Sequence, residues 1–157
     1  MATSTAVSYD GIRFASKAEA GFYIHLKAQE EKGNLSEIVT QPSWDLYACG
    51  HDNIFDFRPQ MKIGKYTADF TYLDHFLEQQ VVVDIKGQIP HTKPNGKRVS
   101  GGQGWTAFRL RCKILKANYD IDVEVVAGKE YTELYNKTVG VSIARKTTYA
   151  RRKRKRI

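Results

Sequence analysis

The chain has 157 residues, of which 41% are hydrophobic and 11% aromatic; this composition fits one folded domain and excludes a disordered chain. No apolar run approaches the roughly 20 residues of a membrane-spanning helix, and the first residues lack a secretory signal pattern, so we expect a cytoplasmic protein without a membrane partner. The formal net charge of +8 resides in residues 145–157, which hold eight basic residues and no acidic ones, so the remainder is formally neutral.

The N-terminal part is predicted to contain one helix. Residues 1–10 are small and polar, and we expect them to form a flexible N-terminus ahead of a domain that spans residues 11–144. A helix is predicted over residues 16–32, ending before Gly33. Its apolar and aromatic side chains recur at helical spacing: Ala18, Phe22, Tyr23 and Leu26.

Extended structure is predicted for the middle of the chain. Residues 36–48 have an extended pattern with an interruption at Pro42, and the pattern resumes at residues 61–63. The clearest element is a β-hairpin of residues 65–73 and 80–87, because both arms are rich in β-branched and aromatic residues.

The remaining elements suggest an α/β domain. Residues 87–104 contain prolines and glycines and are predicted to form a long mobile loop. A second helix is expected over residues 105–118, a strand over 121–127, and a short helix over 130–138. A right-handed crossover would place the last strand parallel to residues 81–85, which gives a mixed central β-sheet flanked by helices.

An acidic cluster is predicted on the hairpin. Residues two apart in a strand share a face, so Asp84 and Lys86 point the same way. If the turn is centred between Phe76 and Leu77, Asp69 lies directly opposite Asp84, with Cβ atoms about 5 Å apart. The alternative is that these are ordinary polar residues on a solvated sheet face.

A divalent cation bound between Asp69 and Asp84 would explain why these two acids face each other. Like charges that face each other across strands are destabilising, and carboxylate oxygens are ligands that Mg²⁺ prefers. Lys86 adds an ammonium group that can orient water or stabilise charge on a phosphate. Two acids, a metal and a lysine suffice for phosphodiester hydrolysis.

Glu19 is the predicted third acid, and it has two interpretations. Ser16 and Glu19 match a capping box, in which the glutamate bonds back to the start of the helix. Helical geometry also puts Glu19 near the apolar stripe of Phe22, Tyr23 and Leu26, where a carboxylate needs a partner. A metal shared with the two aspartates would supply one.

The segments FASKAEAGFYIHL, KYTADFTY and VVVDIKG together resemble the PD-(D/E)xK nuclease superfamily, particularly small phage-type endonucleases akin to Holliday-junction resolvases. The resemblance covers approximately residues 12–126. It implies a restriction-endonuclease-like core that binds Mg²⁺, with Mn²⁺ as a substitute, and no organic cofactor. Ala68 stands where the name-giving motif has proline, and the second acid is an aspartate.

Carried over to this sequence, the resemblance implies a role for each motif residue. Glu19 would be the helix acid that helps to hold the metal, and Asp69 would be the first motif aspartate. Asp84 would be the second acid and Lys86 the motif lysine. The main-chain carbonyl of Ile85 would be a further metal ligand.

Basic residues are the candidates for binding DNA. They lie in the predicted loop, on the second helix and in the tail: Lys93, Lys97, Arg98, Arg109, Lys113, Arg151, Arg152, Lys153 and Arg154. The alternatives are a plain surface loop, a charged outer helix face, and a solubilising or nuclear-import-like tail. Trp44 and Trp105 are expected to be core or rim residues.

The sequence therefore predicts a Mg²⁺-dependent endodeoxyribonuclease, selective for Holliday junctions or other branched DNA in phage recombination or processing, and acting in the host cytoplasm if phage-encoded. Two symmetry-related cuts would require a homodimer. The competing hypothesis is a non-catalytic DNA-binding module on a nuclease-like fold. An RNA-binding or phage assembly protein would leave the acids unexplained.

Overall fold

A computed structural model describes residues 5–48 and 61–140 of the chain. It contains helices α1, Lys17–Glu31, and α2, Trp105–Tyr119, and residues 129–140 are also helical. The strands are β1 (Val7–Tyr9), β2 (Ile12–Phe14), β3 (Leu35–Thr40), β4 (Ser43–Ala48), β5 (Met61–Thr67), β6 (Phe70–Asp74), β7 (Gln79–Lys86), β8 (His91–Thr92), β9 (Arg98–Val99) and β10 (Val123–Ala127). Within the described ranges, no helix is long and apolar enough to cross a membrane.

The described residues divide into two compact units. One comprises those within Met1–Lys32 and Gly128–Ile157, and the other comprises those within Gly33–Ala127. Residues 145–157, the predicted basic tail, lie outside the described part of the chain. The predicted boundaries of a domain at residues 11 and 144 stay a prediction.

The first unit contains a short hairpin and helix α1. Strands β1 and β2 pair antiparallel across a turn at Asp10 and Gly11, both of which have positive φ. Residues 7–9, part of the predicted flexible N-terminus, therefore form a strand that pairs with β2, and the predicted flexibility of residues 1–10 stays a prediction. Helix α1 agrees with the predicted helix. Its Gly21 packs so closely on Tyr131 that an added Cβ would lie 1.8 Å from the Tyr131 carbonyl oxygen.

The second unit is built on a four-stranded sheet in the order β10-β7-β6-β3. β7 pairs antiparallel with β6 and parallel with β10, and β6 pairs antiparallel with β3. The predicted mixed sheet and the parallel placement of the last strand are confirmed. The molecule is thus a mixed α/β protein.

The predicted first hairpin arm, residues 65–73, is divided between two strands. Residues up to Thr67 belong to β5, which pairs with β4, and β6 begins only at Phe70. The break has a backbone cause: the Ala68 amide donates to the Pro42 carbonyl at 3.0 Å, and the Gln41 amide donates to the Asp69 carbonyl at 2.9 Å. The chain therefore changes pairing partner immediately before Asp69.

Helix α2 and the β4–β5 hairpin share a hydrophobic core with β7. The buried members of this core are Leu46, Tyr66, Ala68, Val82, Phe108 and Leu115. Trp44, Trp105 and Cys112 are partly buried against it, as expected for Trp44 and Trp105. Because Val82 shares a face with Asp84, that face of β7 is packed rather than solvated, which the sequence analysis had left open.

Residues 87–104, predicted to be a long loop, contain a short antiparallel hairpin. His91 pairs with Val99 and Thr92 with Arg98. The turn is closed by the Lys93 amide, which donates to the Lys97 carbonyl at 2.9 Å. The segment therefore has local backbone order, and the prediction that it is mobile stays a prediction.

Candidate active site

The C-terminal half of β7 carries the candidate active site. Val81, Val82 and Val83 are buried, and the strand continues with Asp84, which is only 4% exposed. Since burying a charged carboxylate is costly unless it is paired, the partners of Asp84 decide whether this strand is stable.

Two side chains compensate the buried charge of Asp84. The Tyr66 hydroxyl donates a hydrogen bond to Asp84 Oδ2 at 2.8 Å. Lys86 Nζ lies 2.5 Å from Asp84 Oδ1. Tyr66 comes from β5 and Lys86 from the same strand, so the carboxylate is held from two directions and its orientation is fixed.

Asp69 lies beside Asp84 because of the hairpin register. Phe70 pairs with Val83, one residue short of an Asp69–Asp84 pair, and the Asp69 amide donates to the Val83 carbonyl at 3.1 Å. The regular ladder ends there, and Asp69 Oδ2 accepts a hydrogen bond from the Ile85 amide at 2.6 Å. The predicted register of the hairpin is confirmed.

The charges of both Asp84 and Asp69 affect the pKa of Tyr66. Burial, followed by the negative charge of Asp84 and a smaller effect of Asp69, raises the pKa of Tyr66 far above its usual value. The phenol therefore stays protonated and remains a donor to Asp84. Sequence reasoning did not select Tyr66; its position three residues before Asp69, in a strand of alternating pattern, was the available signal.

Lys86 is held by an aromatic ring as well as by Asp84. Its Nζ lies 4.3 Å from the centroid of the Phe108 ring, which projects from the first half of α2. A cation over an aromatic face is stabilised by the ring quadrupole. The Lys86 side chain remains 32% exposed, so its ammonium is held in position but can be reached from solvent.

Cys112, one turn of α2 after Phe108, borders the same cluster. Burial and the nearby charge of Asp84 raise the pKa of its thiol above the usual value, and this outweighs opposing contributions that include Arg109 and Lys86. The thiol is therefore protonated near neutral pH. It serves as a small packing group rather than as a nucleophile.

A pocket of about 410 Å³ opens beside Lys86. Its walls come from the end of β7, the residues that follow it, and the start of α2: Lys86, Gln88, Gly102, Gln103, Trp105 and Phe108. The Trp105 and Phe108 ring centroids are 5.4 Å apart with an interplanar angle of 47°. The candidate catalytic lysine thus faces an open pocket with one aromatic wall.

The comparisons with known proteins give one result that covers most of the chain. Residues 3–119 match a family described as "Protein of unknown function (DUF1064)". The chain belongs to the DUF1064 family. No curated protein and no solved structure matches the chain.

The part of the chain that matches DUF1064 includes every residue of the cluster described above. It begins before β1 and ends at the last residue of α2, so it contains Tyr66, Asp69, Asp84, Lys86 and Phe108. β10 lies after the matched span. The DUF1064 match therefore supports a family-wide unit that contains the site, without saying what the site does.

Glu19, in the first unit, forms the predicted capping box. The Glu19 amide donates to Ser16 Oγ at 3.1 Å, and the Ser16 hydroxyl in turn donates to Glu19 Oε1 at 3.1 Å. Glu19 Oε2 accepts from the Ala15 amide at 3.0 Å. Both carboxylate oxygens are thus used to cap α1. The prediction that Glu19 is also a metal ligand is tested by none of these contacts and stays a prediction.

The predicted DNA-binding residues that the structure describes are all exposed. Lys93, Lys97 and Arg98 belong to the β8–β9 hairpin and its turn, and Arg109 and Lys113 lie on α2. The predicted tail residues Arg151, Arg152, Lys153 and Arg154 lie outside the described part of the chain. The exposed side chains are available for phosphate contacts, and the prediction that they bind DNA stays a prediction.

The donor set of the second unit suits a magnesium ion that retains several waters. Within residues 5–48 and 61–140, no three histidine, cysteine or acidic side chains form a metal-binding group. Mg²⁺ commonly binds through one or two carboxylates together with water and substrate phosphates, rather than in an all-protein cage. The predicted ligands Asp69, Asp84 and the Ile85 carbonyl are oxygen donors of the kind that this smaller requirement involves, and their binding of Mg²⁺ stays a prediction.

Proposed function

We propose that this chain is a divalent-metal-dependent endodeoxyribonuclease with a restriction-endonuclease-like core. The observation that carries the proposal is Asp84: a buried carboxylate near Asp69, fixed by Tyr66 and by Lys86, and Lys86 in turn lines a pocket. Perturbed and paired ionisable groups beside a pocket are typical of active sites. The order of acids and lysine along the chain, which resembles the PD-(D/E)xK pattern, supports the same reaction class.

In this proposal Asp69, Asp84 and the Ile85 carbonyl hold the metal. When bound, Mg²⁺ would supply Lewis-acid stabilisation of the phosphate and a water of lowered pKa. The protein's own contribution is to hold the two carboxylates in place beforehand, through the Ile85 amide on Asp69 and the Tyr66 hydroxyl on Asp84. Mn²⁺ has the same oxygen preference and is proposed to substitute.

Lys86 has the role of a positioned cation. Its ammonium lies between Asp84 and the Phe108 ring and borders the pocket. From there it can donate hydrogen bonds to a phosphate oxygen or to the attacking water, and so stabilise the charge that develops in the transition state. Pairing with Asp84 holds the ammonium in position when no phosphate is present.

The substrate is proposed to be DNA, in particular a Holliday junction or other branched DNA. The exposed basic residues of α2 and of the β8–β9 hairpin provide cations for phosphate contacts. Residues 145–157 would add a sequence-independent cationic arm. Symmetrical cutting of a junction would require a homodimer, which sedimentation of the protein with and without junction DNA would reveal.

A non-catalytic DNA-binding module is the second candidate function. It is favoured by one observation: both oxygens of Asp84 are already satisfied by protein groups, Lys86 on Oδ1 and Tyr66 on Oδ2. Such a buried polar network can stabilise a fold without any catalytic task. The basic residues would then bind DNA that is never cut.

One assay separates the two candidates. Labelled four-way junction, flap, duplex and single-stranded DNA are incubated with the full chain in Mg²⁺ or in EDTA, beside an Asp84→Asn variant. The proposal predicts cleavage that requires both Mg²⁺ and Asp84. Binding of every DNA without cleavage of any would favour the non-catalytic module, and cleavage that persists in EDTA would contradict the metal-dependent mechanism.

A further inference from the structure

The pocket beside Lys86 is larger than the proposed hydrolysis requires, and it has aromatic lining residues that hydrolysis does not need. Positioning a phosphate requires a cation and amide donors, whereas this pocket also contains the indole of Trp105 and the ring of Phe108. Its volume of about 410 Å³ lies within the range of small-molecule sites and far exceeds the space of a single phosphate group. The space that a phosphate would leave unfilled, together with the aromatic wall, fits a flat, apolar group attached to that phosphate.

The polar groups of the pocket are of the kind that reads a base edge. Gln88 and Gln103 each provide a carboxamide with both donors and acceptors. The Gln88 amide nitrogen is held by the Ser100 carbonyl at 2.7 Å, which leaves its side-chain oxygen oriented. Among the lining residues that the structure describes, Lys86 is the one cation, and it accompanies the two carboxamides in the same pocket.

Backbone geometry keeps the pocket open. Trp105 is fixed against Gly101, where an added Cβ would lie 2.4 Å from the indole ring. Gly102 is different, because nothing lies within 4 Å of the Cβ position there. Glycine at 102 therefore leaves empty space in the lining, whereas glycine at 101 lets the indole pack closely.

Resting on the proposed nuclease function, we propose that this pocket receives one unpaired nucleotide of the DNA, with its base against Trp105 and its phosphate near Lys86. A stacked, paired base cannot enter a pocket, so the preferred substrate is DNA with an unpaired or displaced base beside the scissile phosphate. This selects for the structure of the DNA rather than for its sequence, because every base has a face that can stack on an aromatic ring.

Binding in EDTA tests the pocket independently of cleavage. The probes are two closed-ended duplexes of the same sequence, one fully paired and one with a single unpaired 2-aminopurine, whose fluorescence reports loss of stacking on neighbouring bases. Anisotropy gives each affinity. We expect the unpaired duplex to bind about tenfold more tightly or better, the size of one base–aromatic stacking interaction, with a change in 2-aminopurine emission.

Gly102→Leu is the decisive variant, because Gly102 lines the pocket and nothing lies within 4 Å of its Cβ position, so a side chain can be added to the lining there. It should remove the preference for the unpaired duplex and leave the affinity for the paired duplex within about threefold. Gly64→Leu is the matched control: Gly64 also has open space at its Cβ position and does not line the pocket, so the preference should persist.

Two results would overturn the pocket assignment: equal affinity for both duplexes, or a preference that survives Gly102→Leu. The proposed nuclease function fails by a different result, the absence of Mg²⁺-dependent cleavage. Cleavage without any preference for the unpaired base would leave the nuclease and remove the nucleotide pocket. A preference that Gly102→Leu abolishes, in a protein that cuts nothing, would leave the pocket in a binding module.

Discussion

Two parts of this molecule solve the same problem, a partly or fully buried carboxylate, in different ways. In the first unit, the partners of Glu19 are Ser16 and Ala15, three and four residues away. In the second unit, Asp84 is held by Tyr66, 18 residues away, and Asp69 by the amide of Ile85, 16 residues away.

Glu19 meets a local requirement of helix α1, whereas Asp84 depends on contacts that the tertiary fold provides. A helix start always has unsatisfied amides, so a serine and a glutamate there stabilise the helix whatever the protein does. No such backbone requirement explains Asp84, which a valine could replace in a strand of valines. A charge that the fold keeps buried with a partner from a distant strand is a better candidate for function than one that caps its own helix.

The largest effect on cleavage is expected from removing the negative charge of Asp84, which tests whether Asp84 and Glu19 differ in function. Asp84→Asn keeps the shape and an oxygen that accepts from Tyr66, while removing the negative charge. We expect DNA cleavage in Mg²⁺ to fall at least about a hundredfold, because metal-based stabilisation is worth several kcal/mol. Asp122→Asn is the control, since Asp122 is exposed and forms a surface ion pair with Lys116. Equal cleavage by both variants would remove Asp84 from the mechanism.

The next largest effect is expected at Lys86. Lys86→Met keeps most of the side-chain volume over Phe108 and removes the ammonium, so DNA binding should change less than about threefold while the cleavage rate falls roughly a hundredfold. Single-turnover kinetics would separate the two. Lys116→Met, which removes an exposed ammonium that pairs with Asp120 and Asp122, should leave the rate unchanged. A purely structural Lys86 would instead show lower stability with a normal rate.

Tyr66 gives a smaller effect, and mainly on stability. Tyr66→Phe removes one hydrogen bond to a buried carboxylate, and the free energy of unfolding should fall by about 1.5–3 kcal/mol. Urea denaturation measures this. The matched Tyr119→Phe variant loses a hydroxyl that donates to the Asp45 carbonyl at an exposed position, and it should lose less. Similar losses for both would mean that the Tyr66–Asp84 bond is not a special contact.

The smallest effect on cleavage is expected at the helix cap. Ser16→Ala should lower the free energy of unfolding by about 0.5–2 kcal/mol through loss of the cap, with no change in cleavage rate. Glu19→Gln keeps oxygen and shape, so we expect cleavage within tenfold of the unmodified protein. A loss with Glu19→Gln as large as that with Asp84→Asn would show that Glu19 is the third acid, as the PD-(D/E)xK resemblance implies.

The sequence was sufficient to predict the parts of the fold that depend on local pattern and on symmetry of the hairpin. Helix α1, helix α2 and the parallel placement of β10 followed from periodicity and crossover geometry. The register of β6 on β7, which brings Asp69 close to the residues around Asp84, followed from centring the turn between two residues of one hairpin.

The rest depended on contacts between segments that no local pattern connects. Tyr66 reaches Asp84 only because β5 leaves the hairpin arm to pair with β4, and this switch is set by hydrogen bonds to Pro42 and Gln41. The place of Phe108 under the Lys86 ammonium depends on the tertiary packing of α2. The β8–β9 hairpin has strands of two residues each, too short for an alternating pattern to reveal.

Metal binding is the most direct test of the central claim that Asp69 and Asp84 form a cation site within the second unit. Titration calorimetry with Mn²⁺ on the full chain requires neither DNA nor cleavage. The account predicts binding by the unmodified protein and by Glu19→Gln, and its loss in Asp69→Asn and in Asp84→Asn. If Asp84→Asn bound Mn²⁺ as tightly as the unmodified protein, the assignment of this site would be contradicted.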